Sequence, residues 1–196
     1  MGLALLAEPI IALIFQHGRF TAFDTGQTAA ALVFYSFGLF AYSGVKVVVP
    51  VFYALNNTRY PVLGSFLAVS ANFLFIILTL DRFQHRAIAL ATSLSMILNF
   101  VFLSAVLYFQ VQGYPLRRIF SSLAKICLAA GCMGGVVYSM AAGLAAHLSD
   151  GILGRLALVG SVMTAGMLVY GISLYFLKIP EFQDILRQFR RLGRKT

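Results

Sequence analysis

The chain has 196 residues, of which 60% are hydrophobic and only 11% are charged, and its mean hydropathy is +0.88. Soluble domains usually carry about a quarter of their residues as charged side chains, so this composition excludes an ordinary soluble domain and favours a multi-pass helical membrane protein. The net charge of +9 raises the question of nucleic acid. The basic residues, however, lie between apolar runs and in the tail, which is typical of membrane topology, so we expect no nucleic-acid partner.

Six apolar segments follow one another along the chain. The first, residues 2–15, is shorter than the roughly 20 residues that a membrane crossing needs, and we interpret it as the end of a helix that begins upstream. The others cover residues 28–55, 62–80, 87–109, 119–147 and 152–177. The polar stretches between them cover residues 16–27, 56–61, 81–86, 111–118 and 148–151. The prediction is an all-α, polytopic transmembrane bundle of about five full membrane helices plus one partial helix.

Lysine and arginine in the polar stretches predict the orientation, because they concentrate on the cytoplasmic side. One side carries nine of them: Arg59, Arg117, Arg118, Lys178, Arg187, Arg190, Arg191, Arg194 and Lys195. The other side carries four: Arg19, Arg82, Arg86 and Arg155. This bias places residues 56–61 and the C-terminus in the cytoplasm.

The sequence of the tail, residues 178–196, predicts a basic amphipathic helix. An apolar stripe repeats at helical spacing in it: Phe182, Ile185, Leu186 and Phe189. One interpretation is an interfacial helix that binds anionic inner-leaflet lipids. The other, equally favoured, is a positive-inside signal with no further role.

Lys46 lies well inside the second apolar segment. On a helical wheel it shares one line with four other residues: Thr28, Tyr35, Tyr42 and Tyr53. A charge at this depth is costly against lipid, so Lys46 should face a protein interior or a water-filled cavity. A structural ion pair or a side chain that reaches the interface is the alternative. Lys125 lies near the cytoplasmic end of its segment, so its side chain can extend to the membrane interface, which explains its position.

Milder polar strips mark the next two segments. The residues are Ser65, Asn72 and Thr79, then Thr92, Ser95 and Asn99. Hydrogen bonds between helices are the commoner explanation of such residues. The alternative is that Asn72, Thr92 and Asn99 line a polar path or contact an ion. A small-xxx-small spacing, Gly131 and Gly135, indicates a close helix approach.

Catalytic and metal signatures are missing from the sequence. There is no nucleophile and base pair, no HExxH, no GxSxG and no glycine loop that would hold a phosphate. Cys127 and Cys132 lie five positions apart in one apolar run, without the histidines of a metal site, and we expect small packing residues rather than a disulfide. We predict no enzyme, no cofactor and no metal.

The string PIIALIFQHGRFTAFDTGQTAAALVFYSFGLFAYSGVKVVVPVFYALNNTRYPV resembles the lipid II flippase family, MurJ or MviN, of the MOP exporter superfamily. Two motifs carry the resemblance. The matching positions are Phe15, Gly18, Phe20, Asp24, Thr25 and Thr28, then Tyr35, Gly38, Lys46, Pro50, Phe52, Tyr53, Ala54, Leu55, Thr58 and Pro61. ALATSLSMILNF, from Ala89, resembles the family's following helix.

The resemblance implies the C-terminal portion of a fourteen-helix transporter that moves undecaprenyl-linked peptidoglycan precursor across the bacterial inner membrane by alternating access. Lys46 would then be a cavity cation that faces the diphosphate or headgroup of this lipid. The N-terminal lobe would be a missing partner, and the chain a fragment or one piece of a split protein. The resemblance would let Asn72 and Thr92 answer to part of the sodium site of some relatives, but Ile76 supplies no carboxylate, and we expect no sodium site here.

Three regions follow from these considerations. We predict a partial C-terminal lobe at residues 1–112, a final helix pair at residues 113–177 and a cytoplasmic tail at residues 178–196. The resemblance implies that the final pair, about residues 119–177, would contribute to a lipid-tail groove. Two alternatives to the flippase stay open: another MOP-type exporter of lipid-linked oligosaccharide, and a non-transporting membrane scaffold of cell-wall synthesis.

Overall fold

The structure is a computed structural model that describes residues 1–16, 18–83, 85–111, 113, 116–145 and 152–177. Within these ranges the chain is helical, without strands: α1 (Gly2–Leu5), α2 (Ala7–Phe15), α3 (Ala22–Ala54), α4 (Arg59–Phe83), α5 (His85–Gln110), α6 (Leu116–Ala145) and α7 (Ile152–Phe176). The helices α3 to α7 are each long and apolar enough to cross a membrane. The prediction of an all-α bundle with five full membrane helices is therefore confirmed. The tail helix predicted for residues 178–196 lies outside the described residues.

The helices fall into two compact units. The α3–α5 unit covers Ile10–Tyr114, and the α6–α7 unit contains the described residues of Met1–Pro9 and Pro115–Thr196. In the first unit α5 packs against both α3 and α4, which makes it the central helix. In the second unit α6 packs against α7 and α1.

The helix that carries Lys46 begins at Ala22, six residues earlier than the sequence predicts. Thr21 caps it, because its hydroxyl oxygen accepts a hydrogen bond from the Asp24 amide while the Asp24 carboxylate accepts one from the Thr21 amide at 2.9 Å. This reciprocal pair satisfies two amides that a helix start leaves without partners. The prediction that residues 22–27 belong to a polar loop is therefore wrong, since their polar side chains form a helix cap and first turns.

The connection between α3 and α4 is a tight turn. Asn56 has a left-handed backbone with φ 54°, which asparagine tolerates better than most residues. The Asn57 amide donates to the Phe52 carbonyl oxygen at 2.9 Å, which closes the end of α3. Because α4 then begins at Arg59, residues 59–61 form its first turn rather than the loop that the sequence predicts. Pro61 fits there, since first-turn amides have no helical partner.

Glycines allow the three helices of the α3–α5 unit to approach closely. A methyl group added at Gly38 would lie 2.9 Å from the Ser93 Cα on α5, and one at Gly64 would lie 2.6 Å from the Asn99 Oδ1. The ends are also tied, because the Arg86 Nε donates to the Gln27 Oε1 at 2.9 Å. Ser93 and Asn99 of α5 therefore pack directly against the glycine backbones of α3 and α4. This contact determines how closely α3 and α4 approach α5.

In the α6–α7 unit the close approach occurs at other glycines than the sequence indicates. A Cβ at Gly166 would lie 2.9 Å from a Val137 methyl, whereas a Cβ at Gly131 or Gly135 would meet no other described residue within 4 Å. The small-xxx-small pair therefore does not form the contact between α6 and α7. Cys127 and Cys132 are free and exposed, so the α6–α7 unit does not bury them as the small packing residues that the sequence predicts.

Candidate functional site

The candidate site begins with one face of α3, where the predicted polar residues are exposed. The side chains of Tyr35, Tyr42 and Tyr53 are 43%, 45% and 54% exposed, so the α3–α5 unit does not bury them. The Lys46 Nζ lies 4.5 Å from the centroid of the Tyr42 ring, one helical turn away. An ammonium over a ring face is a cation–π contact, which orients the lysine along this face.

An open cleft lies beside this face, between α3 and α5, with a volume of about 390 Å³. The lining residues from α3 are Leu32, Tyr35, Gly38, Leu39 and Tyr42. The lining residues from α5 are Thr92, Ser93 and Met96. Three predicted residues, Tyr35, Tyr42 and Thr92, are thus brought to one cavity.

The surface of the cleft is apolar, although four residues that carry hydroxyl groups line it: Tyr35, Tyr42, Thr92 and Ser93. The Ser93 hydroxyl donates to the Phe34 carbonyl oxygen on α3 at 2.7 Å, and the Thr92 hydroxyl donates to the Ile88 carbonyl oxygen at 2.8 Å. Both hydroxyl protons are therefore used by the backbone. The cleft suits an apolar group, with Lys46 beyond the Tyr42 end.

The second predicted group lies between α4 and α5. The Asn72 side-chain amide donates to the hydroxyl oxygens of Thr92, at 3.4 Å, and Ser95, at 3.3 Å. The Ser95 hydroxyl donates in turn to the Thr92 carbonyl oxygen at 2.9 Å. The Thr92 and Ser95 hydroxyls donate their protons to backbone carbonyls. Their oxygens therefore act as acceptors here, and the Asn72 NH₂ is the matching donor. This geometry forms a hydrogen-bonded clamp between α4 and α5.

Asn99 does not join that clamp. It is 6% exposed and packs against Gly64, and its Oδ1 is buried without a hydrogen-bond partner among the described residues. Thr92 and Asn99 are seven positions apart, about 10 Å along α5. Thr92 and Asn99 therefore share one strip of α5, as the helical wheel predicts, but they have different neighbours on α4.

Ser93 is a residue of this region that the sequence did not single out. It is 4% exposed, it lines the cleft, and its hydroxyl ties α5 to α3. The signal in the sequence is weak, because the partners are the backbone of Phe34 and the bare Cα of Gly38, which carry no polar side chain. Among the described residues, no group of three or more His, Cys, Asp or Glu is placed to hold a metal ion.

Known proteins resemble this chain over nearly its whole length. A "Probable lipid II flippase MurJ" from Vibrio cholerae is 28% identical over 175 residues, which is 89% of this chain and 32% of that protein. One from Thermotoga maritima is 31% identical over 188 residues, 96% of this chain and 36% of that protein. The chain thus spans about a third of the length of these curated relatives.

A solved structure described as "Lipid II flippase MurJ, inward closed conformation" superposes with a TM-score of 0.70 and 25% identity. The match covers 94% of this chain and 35% of that one. The sequence profile of the family described as "Lipid II flippase MurJ" matches residues 1–180. Since that match takes in all described helices, the chain belongs to the lipid II flippase MurJ family.

Proposed function

We propose that this chain forms the C-terminal part of a flippase that moves lipid II, an undecaprenyl-linked peptidoglycan precursor, from the inner to the outer leaflet. The family membership supports the reaction, and the exposed α3 face with Lys46 supports the role of this segment. The proposed activity is transport, with no chemical change in the lipid.

The observation that carries the proposal is the placement of Lys46. A cation in the interior of a membrane helix is retained where it faces a partner charge or a watered cavity. Lys46 lies on the exposed side of the unit with its ammonium over the Tyr42 ring. A lipid diphosphate is the anion that a flippase must hold, and Lys46 is the residue that we assign to it. Tyr35, Tyr42 and Tyr53 offer hydroxyls and ring faces along the same line.

Alternating access requires two bodies that move against each other. The curated relatives are about three times as long as this chain. We therefore propose that the cavity is completed by an N-terminal lobe of the kind that those relatives carry. In this arrangement residues 1–112 supply the cavity face and residues 113–177 contribute to a groove for the lipid tail.

The protein is a multi-pass membrane protein, and we propose the bacterial inner membrane as its location with the C-terminus in the cytoplasm. The charge bias of the polar stretches supports this orientation. In this orientation the basic tail, residues 178–196, meets anionic lipids of the inner leaflet. The clamp of Asn72, Thr92 and Ser95 has a structural role in this proposal, since its amide group faces hydroxyl oxygens.

A replacement experiment tests the proposal. Cells depleted of their own lipid II flippase receive a full-length protein in which this chain supplies the C-terminal part. Growth is compared for the unchanged protein, for Lys46→Ala and for Lys125→Ala, each checked for membrane abundance. We expect rescue by the unchanged protein and by Lys125→Ala, and loss of rescue by Lys46→Ala.

Two outcomes would count against the proposal. Rescue by Lys46→Ala at normal abundance would contradict the role of the lysine. Failure of the unchanged protein to rescue, although it is present in the membrane, would favour a scaffold or an exporter of another lipid-linked oligosaccharide.

A further inference from the structure

A carboxyl group lies near the middle of the membrane in the α6–α7 unit, to which Met1–Pro9 belong. We propose that Glu8, in the first turn of α2, is a proton-binding site, and that its carboxyl group carries a proton taken up from water while it faces the membrane interior. This role goes beyond the proposed function, since it concerns an ion rather than the lipid and does not involve Lys46.

Contacts between α1 and α6 give the depth of Glu8. A Cβ added at Gly134 of α6 would lie 3.1 Å from the Met1 Cε and 3.3 Å from the Leu5 Cδ1. Gly134 is close to the middle of the membrane span of α6, Ser121–Leu144. Glu8 follows Leu5 by three residues, which span about 10 Å at most, whereas half of the hydrocarbon core is about 15 Å thick. The backbone of Glu8 therefore lies within the hydrocarbon core.

The Glu8 side chain lacks a partner that would hold a charge at this depth. It is exposed, whereas Leu6 and Ala7 beside it are 3% and 2% exposed, so the unit buries the neighbours and leaves the carboxyl group uncovered. Among the described residues Glu8 forms no hydrogen bond and no ion pair. A charged carboxylate is costly in hydrocarbon, and an unpaired one becomes neutral by binding a proton.

The basic residues of α6 and α7 lie away from the level of Gly134. Those of α6 lie at least nine residues before Gly134, about 13 Å or more along the axis: Arg117, Arg118 and Lys125. In α7, Arg155 lies eleven residues before Gly166, which packs against Val137 of α6, so it is about 16 Å away along the axis. The other titratable side chains of the two helices are types that are ordinarily uncharged: Cys127, Cys132, Tyr138, Tyr170 and Tyr175.

The proline after Glu8 also favours a protonated carboxyl group. Pro9 has no amide hydrogen, so the Leu5 carbonyl oxygen lacks the donor that a continuous helix would supply. A carboxylate offers only acceptors, whereas a protonated carboxyl group has one O–H donor. Protonated Glu8 therefore supplies a donor in the turn where the proline removes one. A carboxylate in the first turn of a helix can instead be held by free amides, but Pro9 also removes one of these.

Infrared spectroscopy tests the protonation of Glu8. The full-length protein, in which this chain supplies the C-terminal part, is used so that Met1 carries no free amino group near Glu8. In nanodiscs of zwitterionic lipid, the carbonyl stretching band distinguishes a protonated carboxyl group from a carboxylate. At neutral pH we expect Glu8→Gln to remove the band of one protonated carboxyl group. Asp81→Asn is the matched control, since Asp81 is exposed near the end of α4 and its loss should remove a carboxylate band.

A second measurement needs no variant, so it holds even where Glu8→Gln lowers the amount of folded protein. A hydrophobic carbodiimide adds to protonated carboxyl groups that it reaches through the lipid, and mass spectrometry locates the adduct. We expect at least about a hundredfold more adduct at Glu8 than at Asp81, because an ordinary aspartate in water is protonated in only about one molecule in a thousand at neutral pH.

Two results would overturn the inference. Loss of a carboxylate band in Glu8→Gln, or equal adduct at Glu8 and Asp81, means that Glu8 stays charged and is held by water or by a basic side chain outside the described residues. Either result leaves the flippase proposal intact, because that proposal is tested by rescue of cells. Failure of the unchanged protein to rescue would in turn leave the protonated band of Glu8 in place.

Discussion

Lys46 and Tyr42 are neighbours on one turn of α3, with 4.5 Å between the ammonium nitrogen and the centroid of the ring. The contact holds the charge on the helix surface that the cleft shares. It also explains how a lysine is accommodated in this apolar helix, because the ring face supplies a partner for the ammonium.

The energy of this contact can be measured by a double-mutant cycle between Lys46→Met and Tyr42→Leu. We expect a coupling of about 0.5–1 kcal/mol in the free energy of unfolding in mixed detergent micelles. Tyr42→Phe is the matched control, because it keeps the ring. Lys46→Met should therefore cost nearly as much beside Tyr42→Phe as in the unchanged protein, and less beside Tyr42→Leu. Zero coupling between Lys46 and Tyr42 would show that the ring does not hold the ammonium.

The crossing of α3 and α5 predicts a strong effect of Gly38→Ala. The new methyl group would lie 2.9 Å from the Ser93 Cα, and because this is a backbone atom the helices must separate. We expect a loss of about 1–3 kcal/mol in the free energy of unfolding. Gly26→Ala is the control, since among the described parts of the chain its methyl group meets nothing within 4 Å, and it should be neutral or stabilise by up to about 1 kcal/mol. Equal effects of the two substitutions would contradict the described crossing.

The clamp between α4 and α5 predicts that a donor is needed at position 72. Asn72→Leu removes two hydrogen bonds and should cost about 0.6–1.7 kcal/mol. Asn72→Asp should cost more, because its carboxylate would face hydroxyl oxygens whose protons are already donated. The free energy of unfolding of the unchanged protein should not differ between sodium and choline chloride. Stabilisation by sodium would instead support the ion contact considered for Asn72 and Thr92.

The helix cap at Thr21 predicts slow hydrogen exchange before residue 28. Thr21→Ala removes the hydroxyl that accepts from the Asp24 amide and should destabilise this first turn by about 0.5–2 kcal/mol. Faster exchange should then appear at the amides of residues 23–26 and leave those near Gly38 unchanged. If residues 22–27 exchange like a loop in the unchanged protein, the early start of α3 is wrong.

The sequence predicts the helices well because each one must be apolar over about 20 residues to cross a membrane. It misplaces the start of α3, since Thr21, Asp24 and Thr25 look like loop residues when their reciprocal cap is not considered. The site residues also fall into two groups, those that one helix brings together and those that depend on contacts between helices. A wheel drawn for one helix brings Tyr35, Tyr42 and Lys46 together, because all three lie on α3.

Contacts between helices are what the sequence leaves open. The strip of Thr92, Ser95 and Asn99 divides in the structure, because Asn72 reaches the first two while Asn99 packs against Gly64. The cleft depends on how α5 crosses α3 at Gly38. The depth of that crossing is set by Ser93, a small residue with no distinctive pattern in a single sequence.

We propose that Lys46 binds the anionic diphosphate of the lipid during its transfer across the membrane. This role is tested by the amount of lipid II that reaches the outer face of the inner membrane in cells that depend on the full-length protein carrying this chain. We expect Lys46→Gln to lower this amount sharply, Lys46→Arg to retain a large part of it, and Lys125→Gln to have no effect. Normal lipid II at the outer face in cells with Lys46→Gln would show that the lysine has no such role.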